Sequence, residues 1–283
     1  MAEPSRDFTH AELPTVHKQV LRLGLAGNYG VKTQDVRYAA ERGVNFWLWA
    51  PSFKNVTPAL HELLAADRER HVVSMLDMAV TAGMVRRGVH KALRRLRTDY
   101  LDCYKLGWLN RTAFLTEGVS AELLRLKEQG KIRSIGTSIH DRKRAGELAL
   151  DSILDTFMIR YNAKHPGAEE DIFPHLSKRN PAIISYTTTS WRQLLRPLEG
   201  IEMPPWPGGD PGGATPPPLT PGLCYRFCLS SPHVHVVLTG PKSRGQLDEN
   251  LAALEAGPLT AAEDEWVRSY GRLVKKRKRL PFL

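Results

Sequence analysis

The sequence has little cysteine and no long apolar run, and both absences exclude whole classes of protein. Its three cysteines, Cys103, Cys224 and Cys228, are too few for a disulfide framework and favour a reducing compartment. No apolar run approaches the roughly 18 residues that span a membrane. The N-terminal stretch MAEPSRDFTHAELP lacks the apolar core of a signal peptide. We therefore expect a cytoplasmic protein without a membrane segment.

Metal and nucleic-acid chemistry also find little support. Cys224 and Cys228 share one helix face, but no further Cys or His lies close by, so both are interpreted as buried apolar side chains and no metal site is predicted. The formal charge is +10, and part of it lies in a basic C-terminal tail, residues 275–283. No aromatic platform accompanies this tail, so we interpret it as solvated and do not expect nucleic acid as a partner.

The sequence alternates short strand-like segments with longer segments whose apolar residues recur at the spacing of a helix. Eight strand predictions begin with LRLGLAG, Leu21–Gly27, and end with VHVVLTG, and helices are predicted near Glu169–Ser177 and Thr260–Val274 among others. Strands separated by helical patterns imply a parallel sheet. No G-x-G-x-x-G follows the first strand, which argues against a Rossmann domain. We predict a single-domain (β/α)8 TIM barrel over residues 1–283.

One segment stands outside the alternation. Residues 197–221 are rich in proline and glycine, a composition that is typical of a mobile loop. Because the segment follows the seventh predicted strand, it belongs to the face on which such barrels carry their sites. A lid over the site and a plain insertion both remain open.

Several strings resemble the aldo/keto reductase family, and they occur in the family's order from about Leu21 to Thr260. They are LRTDYLD, KIRSIGTS, MIRYNAKHPGAEEDIFPHL, SYTTTS and VVLTGPKSRGQLDENLAALEAGPLT. The resemblance implies NADPH-dependent carbonyl reduction, in which a tyrosine supplies the proton and a lysine, an aspartate and a histidine support it. A tyrosine of ordinary pKa, about 10, needs such neighbours to act near neutral pH.

At the four matching positions the sequence departs from the family. Leu48 replaces the aspartate, Phe53 the tyrosine, Leu76 the lysine and Gly107 the histidine. Phe53 keeps the ring but lacks the hydroxyl, and losing one positioned acid costs roughly 10²–10⁴ in rate. Leu48 and Leu76 together avoid an isolated buried charge. We therefore expect the ordinary proton transfer to be lost.

The positions that the resemblance assigns to cofactor binding match the family better than the catalytic positions do. The resemblance implies that Tyr186 stacks on nicotinamide and that Ser138 contacts the carboxamide, although Ile139 and Met158 replace two further carboxamide partners. Basic residues at the start of a helix suit the 2′-phosphate of NADP. The predicted cofactor residues are Ser138, Tyr186, Thr187, Lys242, Ser243, Arg244, Gln246 and Asn250.

A replacement site is a further hypothesis. Asp77, Lys105, His140 and Arg160 are the candidates, with Asp77 as a possible partner of Arg160. Structural ion pairing at the barrel mouth is the favoured alternative. Three functions follow: an NADP(H)-binding, weak or non-canonical oxidoreductase for a small-molecule ligand; an enzyme of different chemistry that uses the substitute residues; and a catalytically inactive interaction scaffold. The sequence does not fix the substrate or the oligomeric state.

Overall fold

A closed barrel of parallel strands forms the centre of the molecule. The computed structural model describes residues 7–111, 113–207 and 217–277. Among them, a hairpin of β1 (His10–Leu13) and β2 (Lys18–Leu21) precedes eight strands that close in the order β10-β3-β4-β5-β6-β7-β8-β9. The barrel strands are β3 (Leu23–Ala26), β4 (Phe46–Trp49), β5 (Val72–Asp77), β6 (Leu101–Leu106), β7 (Ile132–Ile139), β8 (Thr156–Arg160), β9 (Ala182–Tyr186) and β10 (Val236–Thr239). The predicted fold is confirmed.

Helices cover the outside of the barrel, and most begin at a Ser, Thr or Asp whose side chain accepts a backbone N–H. Thr81, Thr116, Asp141, Thr220 and Ser243 cap their helices in this way. The helices are α1 (Thr33–Glu41), α2 (Thr57–Ala66), α3 (Ala82–Leu96), α4 (Glu117–Glu128), α5 (Arg142–Leu150), α6 (Ala168–Asp171), α7 (Pro221–Ser230), α8 (Arg244–Glu255) and α9 (Ala261–Arg277), with 3-10 turns at Phe173–His175 and Gln193–Leu195.

Alternation along the strands separates two apolar layers. Phe46 and Leu48 face the barrel interior, whereas Trp47 and Trp49 face the helices. The hairpin closes the N-terminal end, where Val16 and Val20 pack into the interior cluster. The C-terminal ends of the strands consequently form the only end of the barrel that the hairpin leaves uncovered.

Two element predictions need correction. The first barrel strand begins at Leu23 rather than Leu21, because Leu21 pairs with His10 in the hairpin. The helix predicted near Glu169–Ser177 is only the short α6 followed by a 3-10 turn. Pro174 explains the break, since it lacks the N–H that a continuing α-helix would need.

The described flanks of the proline-rich segment 197–221 pack against α9. The Trp206 and Trp266 rings lie 5.1 Å apart, the Trp266 indole N–H donates to the Pro204 carbonyl at 2.8 Å, and Leu198 is buried. Residues 208–216 lie outside the described residues, so the predicted mobility stays a prediction. Of the basic tail, residues 275–277 form the last turn of α9 and residues 278–283 lie outside the described part.

The described residues contain neither a candidate membrane span nor a candidate metal cluster. None of their helices combines the length and the apolar character that crossing a membrane requires. Within the same residues no group of three or more His, Cys, Asp or Glu side chains is placed to hold a metal ion.

Candidate cofactor and substrate site

Exposed apolar side chains surround the C-terminal mouth of the barrel. They lie in the loops after β3, β5, β6 and β9 and in the first turn of α3, and a compact monomer rarely leaves so many in one place. The rim side chains are Tyr29, Met78, Val80, Met84, Trp108, Phe114 and Trp191. Sequence analysis missed this rim, because its members are scattered along the chain and only barrel closure brings them together.

The same loops hold residues in the left-handed region of backbone space, which L side chains seldom adopt. Trp108, Asn110, Thr187, Ser190 and Trp191 all have positive φ. Such conformations cost free energy and cluster at functional sites. Together with Arg192 they make six of the ten non-glycine residues with positive φ in the described chain, so such conformations are concentrated at the mouth.

The floor of the mouth is apolar. Leu48 and Met158 are buried there, and Leu76 and Tyr186 pack against the same interior cluster. Phe53 is partly buried beside Gly27: a Cβ added at Gly27 would lie 3.2 Å from the Phe53 ring. No charged side chain replaces those that the family resemblance led us to expect at these positions.

Met78 fills the space next to Gly107. A Cβ added at Gly107 would lie 2.3 Å from the Met78 sulfur and 3.5 Å from Leu76. A histidine at position 107 would therefore require Met78 to move. Nothing in the sequence signalled this role of Met78, because the contact joins two different strand ends.

Asp77 faces the helices rather than the mouth. Its carboxylate accepts a hydrogen bond from the Tyr104 hydroxyl at 2.9 Å and lies against Gly88 of α3. Burial and the neighbouring Asp77 raise the pKa of Tyr104. The proposed Asp77–Arg160 pair is not formed. The alternation of the strand already contained this signal, since Leu76 faces inward and its neighbour must face outward.

Lys105 lies inside the barrel, one layer below the mouth. Its Nζ donates to the Ser74 hydroxyl and lies 5.6 Å from the centre of the Phe46 ring, and the side chain is fully buried. Gly136 makes room for it, because a Cβ there would lie 2.9 Å from Lys105 Cγ. Within the described residues no carboxylate forms an ion pair with Lys105, and burial lowers the pKa of its amine.

His140 and Arg160 are the two candidates that the structure brings together. Arg160 pairs in register with Tyr186, whose hydroxyl lies 3.0 Å from His140 Nε2. The two rings meet edge to face at 5.8 Å. Burial lowers the pKa of His140, and the positive charges of Arg160 and Arg111 lower it further. Burial raises the pKa of Tyr186 to about 12. The alternative interpretation was structural ion pairing among Asp77, Lys105, His140 and Arg160. Within the described chain none of these four side chains forms an ion pair.

Ser138 lies at the end of β7 beside this cluster. Its side chain is fully buried, yet its Oγ has no hydrogen-bond partner of good geometry among the described residues. A buried hydroxyl without a partner costs about 1–3 kcal/mol, so such groups commonly mark a place where a ligand binds. Thr187, at the end of β9, turns its hydroxyl back to the Tyr186 carbonyl at 2.7 Å.

The start of α8 carries the predicted phosphate residues. Ser243 caps the helix, and the Lys242 N–H donates to Gln246 Oε1 at 2.8 Å. No acidic residue occupies the first turn, so the helix N-terminus and the nearby cations favour an anion. Arg244 is partly engaged, since it lies 3.2 Å from the Asp35 carboxylate.

Asn250 has a different place from the other predicted phosphate residues. It is buried and its amide donates to Thr239 Oγ1 at 2.8 Å, so it ties α8 to β10. Its contact with a cofactor stays a prediction, while its contact with Thr239 is internal to the fold.

A separate cavity of about 600 Å³ lies outside the barrel, between α6, α7 and the start of α9. Tyr161, Phe173 and Phe227 line it, together with Arg268, which is already paired with Glu169 at 2.9 Å and Asp264 at 2.5 Å. Because its charged groups satisfy one another, the mouth remains the stronger candidate for chemistry.

Comparison with known proteins identifies the family. The sequence model of the aldo/keto reductase family matches residues 28–197, more than half of the chain. The chain therefore belongs to the aldo/keto reductase family.

Two similarities to curated proteins are short. The methylglyoxal reductase YeaE of Escherichia coli is 32% identical over 108 residues, 37% of each chain. The NADH-specific methylglyoxal reductase of Escherichia coli is 30% identical over 117 residues, 41% of this chain and 33% of that protein. These matches span about a third of the relatives' own length.

Solved structures match over nearly the whole chain. The holo form of an aldo-keto reductase from Bacillus halodurans has 21% sequence identity and a TM-score of 0.74, with 93% of this chain and 96% of that chain covered. An aldo/keto reductase from Klebsiella pneumoniae in complex with NADP and acetate has 20% identity and a TM-score of 0.71, with 94% and 95% covered. At this identity the likeness establishes the fold.

Proposed function

We propose that the protein binds NADP(H) at the barrel mouth and acts as a weak or non-canonical oxidoreductase on a small-molecule ligand. The observation that carries the proposal is the fully buried hydroxyl of Ser138, which lies within reach of Tyr186 but makes no hydrogen bond of good geometry among the described residues. A carboxamide group placed there would satisfy that hydroxyl. The three free cysteines, all buried, support a cytoplasmic location.

Different residues of the chain would bind different parts of the cofactor. Tyr186 offers an aromatic face for the nicotinamide ring, and its hydrogen bond with His140 restrains the orientation of that face. Lys242 and the start of α8 offer positive charge for the 2′-phosphate. When bound, the cofactor supplies a hydride; the protein supplies orientation and a surface that excludes water.

The proton side of the reaction is where this chain departs from its family. Leu48 and Leu76 line the mouth, and Phe53 packs against the helix-facing cluster; none of the three can donate a proton. His140 and Tyr186 are the titratable pair that remains at the mouth, and the raised pKa of Tyr186 makes its phenol a poor acid. We therefore expect slow turnover at most.

The apolar floor also supports a second candidate, a catalytically inactive scaffold that keeps the cofactor site without turnover. A third, enzyme chemistry that uses Lys105 and His140, is supported by the buried amine of Lys105. Turnover that Lys105→Met or His140→Leu abolishes would favour the third candidate. Cofactor binding with no turnover of any carbonyl compound would favour the second.

The test is a titration with NADPH and with NADH, followed by quenching of tryptophan fluorescence and by nicotinamide emission. We expect saturable micromolar binding of NADPH. Lys242→Ala should weaken NADPH about tenfold and leave NADH unchanged, because a charge-assisted contact contributes about 1.5–3 kcal/mol. Tyr186→Ala should weaken both cofactors. Lys178→Ala is the matched control, since Lys178 is exposed in the loop before β9. Absence of binding at millimolar NADPH would refute the proposal.

A further inference from the structure

Arg160 is a cation at the mouth that the protein does not neutralise. It is the last residue of β8 and is only partly buried, and among residues 7–111, 113–207 and 217–277 its guanidinium has neither a hydrogen bond nor an ion pair. A guanidinium presents five donors in a planar fork, so one without protein partners at the open end of the barrel is available to an acceptor from outside.

Strand alternation places Arg160 at the mouth. Met158, two residues earlier on β8, belongs to the interior cluster, so Arg160 lies on the same face of the strand. Arg160 also pairs in register with Tyr186, which packs against that cluster. In agreement, its charge adds to the lowering of the pKa of His140 by burial and opposes the rise that burial causes in the pKa of Tyr186.

Three carboxylates of the neighbouring helix starts are engaged elsewhere. Asp141 accepts the Arg144 N–H at 3.1 Å as the cap of α5. Asp171 pairs with Arg142 at 2.7 Å, and Glu169 pairs with Arg268 at 2.9 Å. Within the described chain no carboxylate lies at ion-pair distance from Arg160.

The charge of the site suits a monoanion. His140 is neutral at pH 7, because burial and the cations Arg160 and Arg111 lower its pKa. Arg111 is exposed, so solvent screens its contribution. One strong charge remains, and its planar fork matches a carboxylate through two parallel hydrogen bonds.

We propose that Arg160, with His140 and the Tyr186 hydroxyl beside it, forms a carboxylate-binding subsite, so that the ligands of this protein are small carbonyl compounds that carry a carboxylate, the 2-oxo acids. This substrate class rests on the proposed oxidoreductase function. The binding of the carboxylate itself does not, and it is measured without cofactor.

The experiment compares pyruvate with pyruvamide, its uncharged analogue of the same shape, by calorimetry and by tryptophan fluorescence in the absence of NADPH. Wild-type protein should bind pyruvate at least tenfold more tightly than pyruvamide. Arg160→Met should lose roughly tenfold or more in pyruvate affinity and leave pyruvamide unchanged. Arg160→Lys keeps the charge but not the fork, and should fall between the two.

Arg111→Met is the matched control, because it removes an exposed arginine from the same face. It should change pyruvate affinity less than threefold by ordinary screening arguments. An equal loss in the two variants would overturn the proposal, since it would show a diffuse field and not a site. Equal binding of pyruvate and pyruvamide, or displacement of pyruvate by chloride at equal concentration, would overturn it too; the latter would identify an adventitious ion only.

The NADPH titration separates this proposal from the function on which the substrate class rests. Pyruvate binding that depends on Arg160, together with no NADPH binding, would keep the subsite and refute the reductase proposal. NADPH binding with no effect of Arg160→Met on pyruvate would keep the cofactor site and refute the subsite. Thermal unfolding of each variant shows that a loss of binding is not a loss of fold, and Arg160→Gln serves as a second variant if Arg160→Met does not fold.

Discussion

The two ends of the barrel treat their charged groups in opposite ways. At the N-terminal end, the fully buried Asp102 binds Lys18 at 2.9 Å and Arg68 at 2.7 Å, and it also accepts the Val73 N–H at 2.8 Å. At the C-terminal mouth, Arg160 has no ion pair and the Ser138 Oγ makes no hydrogen bond of good geometry within the described chain. The first end is built to be stable, and the second keeps its polar groups available.

The difference shows how one fold separates stability from function. The hairpin covers the N-terminal end with apolar side chains, so the charges there are paired inside the protein; Asp102 Oδ1 makes no hydrogen bond of good geometry but lies 2.9 Å from the Lys18 amine. The mouth is open, so water or a ligand can satisfy what the protein does not.

The largest effect is expected at the sealed end. Asp102→Ala leaves Lys18 and Arg68 without their carboxylate and should lower the free energy of unfolding by about 3–5 kcal/mol, measured by urea denaturation. Glu69→Gln is the control: Glu69 is 65% exposed and should cost less than about 1 kcal/mol. Similar losses in the two variants would remove the contrast between buried and exposed pairs.

His71 makes the sealed end sensitive to acid. Its Nδ1 accepts the Trp47 indole N–H at 3.1 Å, and burial lowers its pKa to about 4. Because the folded pKa is depressed, the stabilisation is complete above the unfolded pKa near 6.5 and is lost as pH falls through 4. Between pH 6.5 and 4 wild type should lose about 3 kcal/mol more than His71→Gln. Parallel pH profiles of unfolding would contradict this.

Lys105 is a buried amine between the two ends. Lys105→Met should stabilise the protein at pH 7 by about 1–3 kcal/mol, since it removes the cost of burying the amine. The folded pKa lies below the unfolded value, so the gain should shrink as pH rises towards 10.5. Chemical denaturation at pH 7 and pH 10 measures this. A destabilised variant would show that the Ser74 hydrogen bond outweighs the burial cost.

The smallest effect is expected at the mouth. Arg160→Met removes a cation that has no internal partner and should change the free energy of unfolding by less than about 0.5 kcal/mol. A loss as large as that of Asp102→Ala would place Arg160 in the structural network and would end the contrast between the two ends.

The sequence by itself determined the order of strands and helices, the faces of the strands and the family. Period-two alternation put Met158 and Arg160 on one face of their strand and Lys105 on one face of its own, and Met158 and Lys105 lie inside the barrel. The substitutions Phe53 and Gly107 are also read directly from the chain. These features are local, so spacing along one strand or one motif suffices to predict them.

Only the tertiary structure decided which polar groups meet. Met78 against Gly107, Tyr186 against His140 and Asp77 against Tyr104 each join different strands. The depth of Lys105 follows from the layers that barrel closure stacks above it, and the aromatic rim follows from loops that converge on one end. Contacts between distant segments depend on strand stagger and on side-chain packing, and a pattern read along one chain contains neither.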